Sequence, residues 1–137
     1  DCNGISLGNS AFVTLSSPTC GNVNVTLTNL GGPIDRTPLC PTEASRCDGS
    51  GPLYGIQEYF YRGTVTLPGN CNNWTMSWSS CCRNFAITTL ANGGSEGTYI
   101  DAQLDATICN NSPAFNNDPT FFLCANQENR YNFGAGK

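Results

Sequence analysis

Apolar and polar residues alternate with a period of two in several short stretches, the spacing that turns one face of a β-strand to a core and the other to water. Val23, Val25 and Leu27 alternate with Asn24, Thr26 and Thr28. Two strands are predicted here, near Ala11–Ser16 and Asn22–Asn29, with Cys20 in the turn between them. Ile56–Leu67 is the longest strand signal; its aromatic cluster Tyr59, Phe60 and Tyr61 covers both faces, and Gly63 is placed for a bulge. Trp74, Met76 and Trp78 then share one face, while Asn73, Thr75, Ser77 and Ser79 share the other. An indole can bury about 150–250 Å², so Trp74 and Trp78 are the expected core anchors. Phe85–Leu90, Thr98–Ala106, Thr120–Cys124 and a start at Tyr131 and Phe133 complete the set, with Ile100, Ala102, Leu104 and Ala106 as the dry face of Thr98–Ala106. Leu30–Pro52 is a loop, longer than the ~12–15 residues at which structureless connections become uncommon. No stretch carries a capped apolar stripe of helical period.

Short strands separated by turn clusters predict an all-β, disulfide-rich antiparallel β-sandwich, immunoglobulin-like or jelly-roll-like, with 1–137 as a single domain. A chain of 137 residues is long enough for one core. Charged residues supply only 12% of the chain, against an average of about 25%, so Asn, Ser, Thr and Gly must furnish the polar surface. That composition suits an extracellular or cell-surface protein. A net charge of −4 with six scattered Lys and Arg leaves no basic stripe for phosphates, which argues against nucleic acid. No apolar run approaches the ~20 residues of a membrane span, so no membrane insertion is expected.

Nine cysteines point to an oxidising compartment: Cys2, Cys20, Cys40, Cys47, Cys71, Cys81, Cys82, Cys109 and Cys124 are the disulfide candidates. The chain has no His and no C-x-x-C spacing, so no metal-thiolate site is expected. Disulfide geometry wants Cα atoms about 4.4–6.8 Å apart, whereas a trans peptide sets neighbours near 3.8 Å. Cys81 and Cys82 are therefore expected to bond different partners. Cys40–Cys47 and Cys109–Cys124 are the expected local bridges, with Cys71 returning to one of the adjacent pair. Arg83 reads either as a solvated charge at a strand end or as a clamp on loop carbonyls.

The absence of His rules out Ser-His-Asp and Cys-His catalysis. Glu58, Asp101 and Asp105 lie on polar strand faces and read as solvated surface rather than a glycosidase pair, so no catalytic residue is assigned and no enzyme is expected. Asn116, Asn117 and Asp118 gather oxygen ligands where a calcium ion would sit, but without D-x-D-x-D spacing, and no cofactor is expected. Tyr59, Tyr61, Tyr99 and Tyr131 would form a sugar-stacking platform if exposed, which makes a carbohydrate-binding module the alternative function and a glycan the alternative partner. The sequons at Asn24, Asn73 and Asn110 carry no weight in so Asn- and Thr-rich a chain.

The series DCNG, SSPTC, TPLCPT, GIQEYFYRGTVTLP, WTMSWSSCCRN, CNNSPAF, FFLC and YNFGA resembles a cysteine-rich domain of large secreted Bacteroidota proteins, the gliding-motility-associated and PKD-repeat surface proteins. The resemblance covers nearly the whole chain. It implies an adhesive or structural surface module exported by the type IX route, and it carries no activity and no ligand residues. In similar domains an apolar strand and a cysteine precede DCNG, and an acidic run follows the final Gly-Ala. The chain is thus expected to lack an N-terminal strand and to hold an odd cysteine. Self-association by strand addition, or contact with other domains of the same surface protein, would fill the gap and build a fibre.

Overall fold

The computed structural model describes residues 2, 7–49, 51–83, 87–117, 126, 128 and 130–136. The strands, in chain order, are β1 (Ser10–Ser17), β2 (Gly21–Asn29), β3 (Ile34–Asp35), β4 (Gln57–Glu58), β5 (Tyr61–Arg62), β6 (Trp74–Cys81), β7 (Gly97–Leu104), β8 (Ala114–Phe115) and β9 (Ala135–Gly136). All pair antiparallel, and a short 3₁₀ turn at Gly93–Ser95 is the only helical element among the described residues. The chain divides into two compact units: Asp1–Ser6 with Pro33–Glu58 and Asn111–Lys137, and Leu7–Gly32 with Tyr59–Asn110.

The second unit is a five-stranded sheet, order β5-β2-β1-β6-β7, curled into a half-barrel. Its register makes the apolar stripe continuous across strands. Val13 faces Val25 and Leu15 faces Val23 across the β1–β2 hairpin, Leu15 faces Met76 across β1–β6, and Trp78 faces Ile100 and Trp74 faces Leu104 across β6–β7. Opposed residues share a face, so all of these lie on the concave side. The convex side carries Thr14, Asn24, Ser77 and Asp101, with the Thr14 hydroxyl donating to Asn24 Oδ1 at 3.0 Å.

The core occupies one end of that concave face. Val13, Leu15, Val25 and Trp74 are buried, Trp74 completely, and Val65, Leu67, Leu104 and the Cys20–Cys71 bridge pack against them. Val65 and Leu67 come from an unpaired segment lying close against β2 and the bridge. A Cβ on Gly63 would come within 2.7 Å of Leu27 Cδ2, and one on Gly69 within 2.6 Å of Cys20 Sγ. The Gly69 carbonyl accepts the Trp74 indole N–H at 3.2 Å, so the burial of that ring leaves its polar atom satisfied. The expected long strand Ile56–Leu67 is therefore replaced by two two-residue strands and a covering segment. Of the expected strand Phe85–Leu90, 85 and 86 lie outside the described residues and Thr88–Leu90 form a turn and bend. Thr120–Cys124 likewise falls outside the described residues, and Tyr131 and Phe133, outside any strand, pack edge to face with ring centroids 5.1 Å apart.

The first unit joins β3 to β4 and β8 to β9. Its centre is polar. Asp35 accepts from the Thr37 hydroxyl, the Thr37 N–H at 2.9 Å and the Ser45 hydroxyl at 2.8 Å. Thr37 Oγ1 in turn accepts the Ile56 N–H at 2.9 Å, and buried Ser45 accepts the Cys47 N–H at 3.0 Å. These hydrogen bonds, the Thr37 hydroxyl first, hold the Asp35 carboxyl below its ordinary pKa against a smaller upward push from burial.

Candidate functional site

The cysteines pair differently from expectation. Cys2 bonds Cys47, Cys20 bonds Cys71, and Cys81 bonds Cys82, while Cys40 and Cys109 are free and exposed. The Cys20–Cys71 bond follows from the adjacency of β1 and β6, which sets the turn after β1 beside the residues leading into β6: the Thr19 hydroxyl donates to Cys71 Sγ at 3.1 Å, and the two cysteine Cα atoms lie 6.3 Å apart. Cys71 thus does not return to the adjacent pair, and Cys47 reaches Cys2 rather than Cys40. The argument against a Cys81–Cys82 bond assumed a trans peptide. That peptide is cis, and the two Cα atoms are 3.1 Å apart. The expected Cys109–Cys124 bridge ends on a residue outside the described ones.

Trp74 is the anchor the pattern predicts, whereas Trp78 is half-buried and Met76 is 44% exposed. Alternation puts all three on the concave face, but the covering segment ends before it reaches the last two. Beyond it the concave face opens into a pocket of about 600 Å³. Trp78, Met76, Ile100 and Leu27 form its floor, with Tyr59 and Tyr61 at the β5 side. The volume lies within the roughly 300–1,000 Å³ typical of ligand pockets. Ser77, Ser79 and Asp101 also border it, but register turns their side chains to the convex face, so the floor is almost wholly apolar. Tyr59 and Tyr61 stack with centroids 6.5 Å apart and planes 17° apart, and the Tyr61 hydroxyl donates to the Gly8 carbonyl at 2.6 Å.

The pocket runs to the sheet edge formed by β7. Among the described residues no strand pairs with the outer side of β7, and Ile100 and Tyr99 on it are 58% and 61% exposed. Arg83 closes one end of this strand as a clamp, its N–H donating to Glu96 O at 2.8 Å and its Nε to Gly97 O at 3.0 Å. Sequence alternation had assigned Ile100 to a dry face; no second layer covers it among the described residues.

Glu58 is bonded to Arg36 at 2.7 Å in the first unit, Asp101 faces the convex side of β7, and Asp105 accepts from the Thr107 hydroxyl and N–H, which hold its pKa below the ordinary value. Asn117 donates to the Asn132 carbonyl at 2.6 Å, and Asp118 lies outside the described residues. No cluster of three His, Cys, Asp or Glu suited to a metal ion occurs among the described residues. Among the described residues no helix is long and apolar enough to cross a membrane. No family model, curated protein or solved structure matches the chain.

Proposed function

We propose that the chain is a non-enzymatic structural or adhesive module of a secreted bacterial surface protein, exported by the type IX route, as its resemblance to the Bacteroidota domain implies. The observation that carries this reading is the half-covered apolar face of the half-barrel beside an unpaired strand edge. Strand addition uses such a pair of features together: the edge supplies backbone hydrogen bonds, and the apolar floor receives alternate side chains. In this reading the segment added at the β7 edge extends the half-barrel sheet and brings apolar side chains to the open side of the pocket.

Beads coated with the oxidised chain test the proposal. They are expected to adhere to cells displaying the same chain, and soluble sugars are not expected to release them. Beads that stay free in suspension would sink the reading. The near-parallel Tyr59–Tyr61 pair at the pocket supports a second reading, a carbohydrate-binding module. A saturable ligand on a glycan array, lost in Tyr59→Ala, would put that reading in place of the first.

A further inference from the structure

We infer that the partner received at the β7 edge is a second copy of this chain, paired β7 to β7 about a two-fold axis to make one continuous ten-stranded sheet. The inference rests on the proposed assembly role and names its interface. An antiparallel pair of identical strands is isologous, so whatever β7 offers, its copy accepts.

Three properties of Gly97–Leu104 point to this partner. First, the strand lacks the guards that keep natural edges apart: it has no Lys, Arg or Pro, and its one charge is Asp101. Secondly, hydrogen bonding restricts the register. The outward N–H and C=O groups of an edge strand occur at every second residue, so only residues of like parity can face each other. That condition also keeps both concave faces on the same side of the joined sheet. Thirdly, charge selects among the registers that remain. Pairings centred on Ile100 or on Asp101 each use nearly the whole strand, while centres further along use much less. The Asp101-centred register opposes two carboxylates, which is destabilising. The Ile100-centred register sets Asp101 across from Tyr99 of the second copy, and Thr98 across from Ala102.

In the Ile100-centred register the two exposed isoleucines meet. The row Trp78–Ile100 of one copy then continues into the Ile100–Trp78 row of the other, so each pocket gains an apolar wall where it is now open. The pairing sets an apolar neighbour beside each Ile100, on the side that a single copy leaves open to water.

Sedimentation of a Cys40→Ser, Cys109→Ser, Cys124→Ser variant tests the inference free of intersubunit disulfides. A dimer is expected. Ile100→Lys is expected to weaken it by about a hundredfold or more, because two apolar side chains lose their burial and two like charges meet. Unchanged circular dichroism and Trp fluorescence would establish that the variant folds. Mixing Ile100→Lys with Ile100→Glu should restore a heterodimer, since the Ile100-centred register opposes residue 100 to itself. A monomeric parent, a dimer indifferent to Ile100→Lys, or a mixture that fails to associate overturns the inference. Beads that adhere although the chain is monomeric refute this interface and leave the adhesive role standing; a dimer whose beads do not adhere does the reverse.

Discussion

Replacing Cys20 and Cys71 together by Ala separates a disulfide that constrains the chain from one that barely does. The two residues are 51 apart in sequence. On the chain-entropy account, a loop of that length adds about 4 kcal/mol of stability at 25 °C by restricting the unfolded ensemble. Cys81 and Cys82 are 1 apart, so their bond closes almost no chain, and the same expression gives it only about 1 kcal/mol. The Cys20→Ala, Cys71→Ala variant should therefore lose about 4 kcal/mol, and the Cys81→Ala, Cys82→Ala variant only about 1 kcal/mol. Trp74 and Trp78 both lie in the half-barrel unit, so urea titration followed by Trp fluorescence reads the right part of the molecule. Keeping the samples below neutral pH slows thiol–disulfide exchange. Equal losses in the two variants, or a loss below about 1 kcal/mol in the first, would refute the Cys20–Cys71 bridge as a constraint on this unit.

Trp74→Ala should cost about 3–5 kcal/mol in the same titration, as for other buried aromatics, and Trp78→Ala clearly less, because only one side of that ring is packed; the reverse order would mean that the core lies at the other end of the sheet. Gly63→Ala should cost about 1–3 kcal/mol, because the added methyl meets Leu27 Cδ2 at 2.7 Å and Thr26 O at 3.0 Å; no loss would place the covering segment elsewhere. Asp35 has its pKa lowered in the folded state by the Thr37 hydroxyl above all, so its contribution is present above the unfolded value near 3.9 and lost as pH falls through the folded value. Asp35→Asn should therefore flatten the acid side of the stability curve below about pH 4, measured by the signal of the first unit's Tyr54; an unchanged acid limb would count against the network.

The hairpin β1–β2 was legible because Val23, Val25 and Leu27 alternate cleanly with polar residues, and Trp74 because two indoles on one short strand demand a core. Alternation identifies a face, however, and does not say what forms the hydrogen bonds or what covers the face. Val65 and Leu67 keep the period of a strand yet pack from an unpaired segment. Met76, Trp78 and Ile100 lie on the apolar side of the sheet, but covering them needs a second layer, which alternation on one strand cannot reveal. The cysteines failed for a related reason. Cys20–Cys71 is a consequence of β1–β6 adjacency, a long-range pairing that spacing along the chain does not encode, and the Cys81–Cys82 bond escaped because its peptide is cis.

The two ends of the concave face divide the work of folding from the work of association. At the closed end the indole of Trp74, the Cys20–Cys71 bridge and the Val65–Leu67 segment bury apolar surface within one chain. Asn73 Oδ1 accepts from the Ser17 and Thr19 hydroxyls at 2.6 and 3.1 Å, joining the β1–β2 turn to the start of β6. At the open end the same sheet continues with the same alternation, but Met76 and Ile100 meet solvent. Small domains bury a modest fraction of their surface, and leaving this stretch uncovered gives up stability that a further covering segment would provide. A sheet that anchors one end so firmly can present the other as a preformed surface, because the strands there are continuations of strands already held. Association at β7 then needs little ordering of the backbone, which removes one of the main costs of binding. The unguarded edge and the apolar end of the stripe beside it belong together: an added strand satisfies the backbone groups of β7 and walls the pocket at Ile100, where an isolated chain leaves both open.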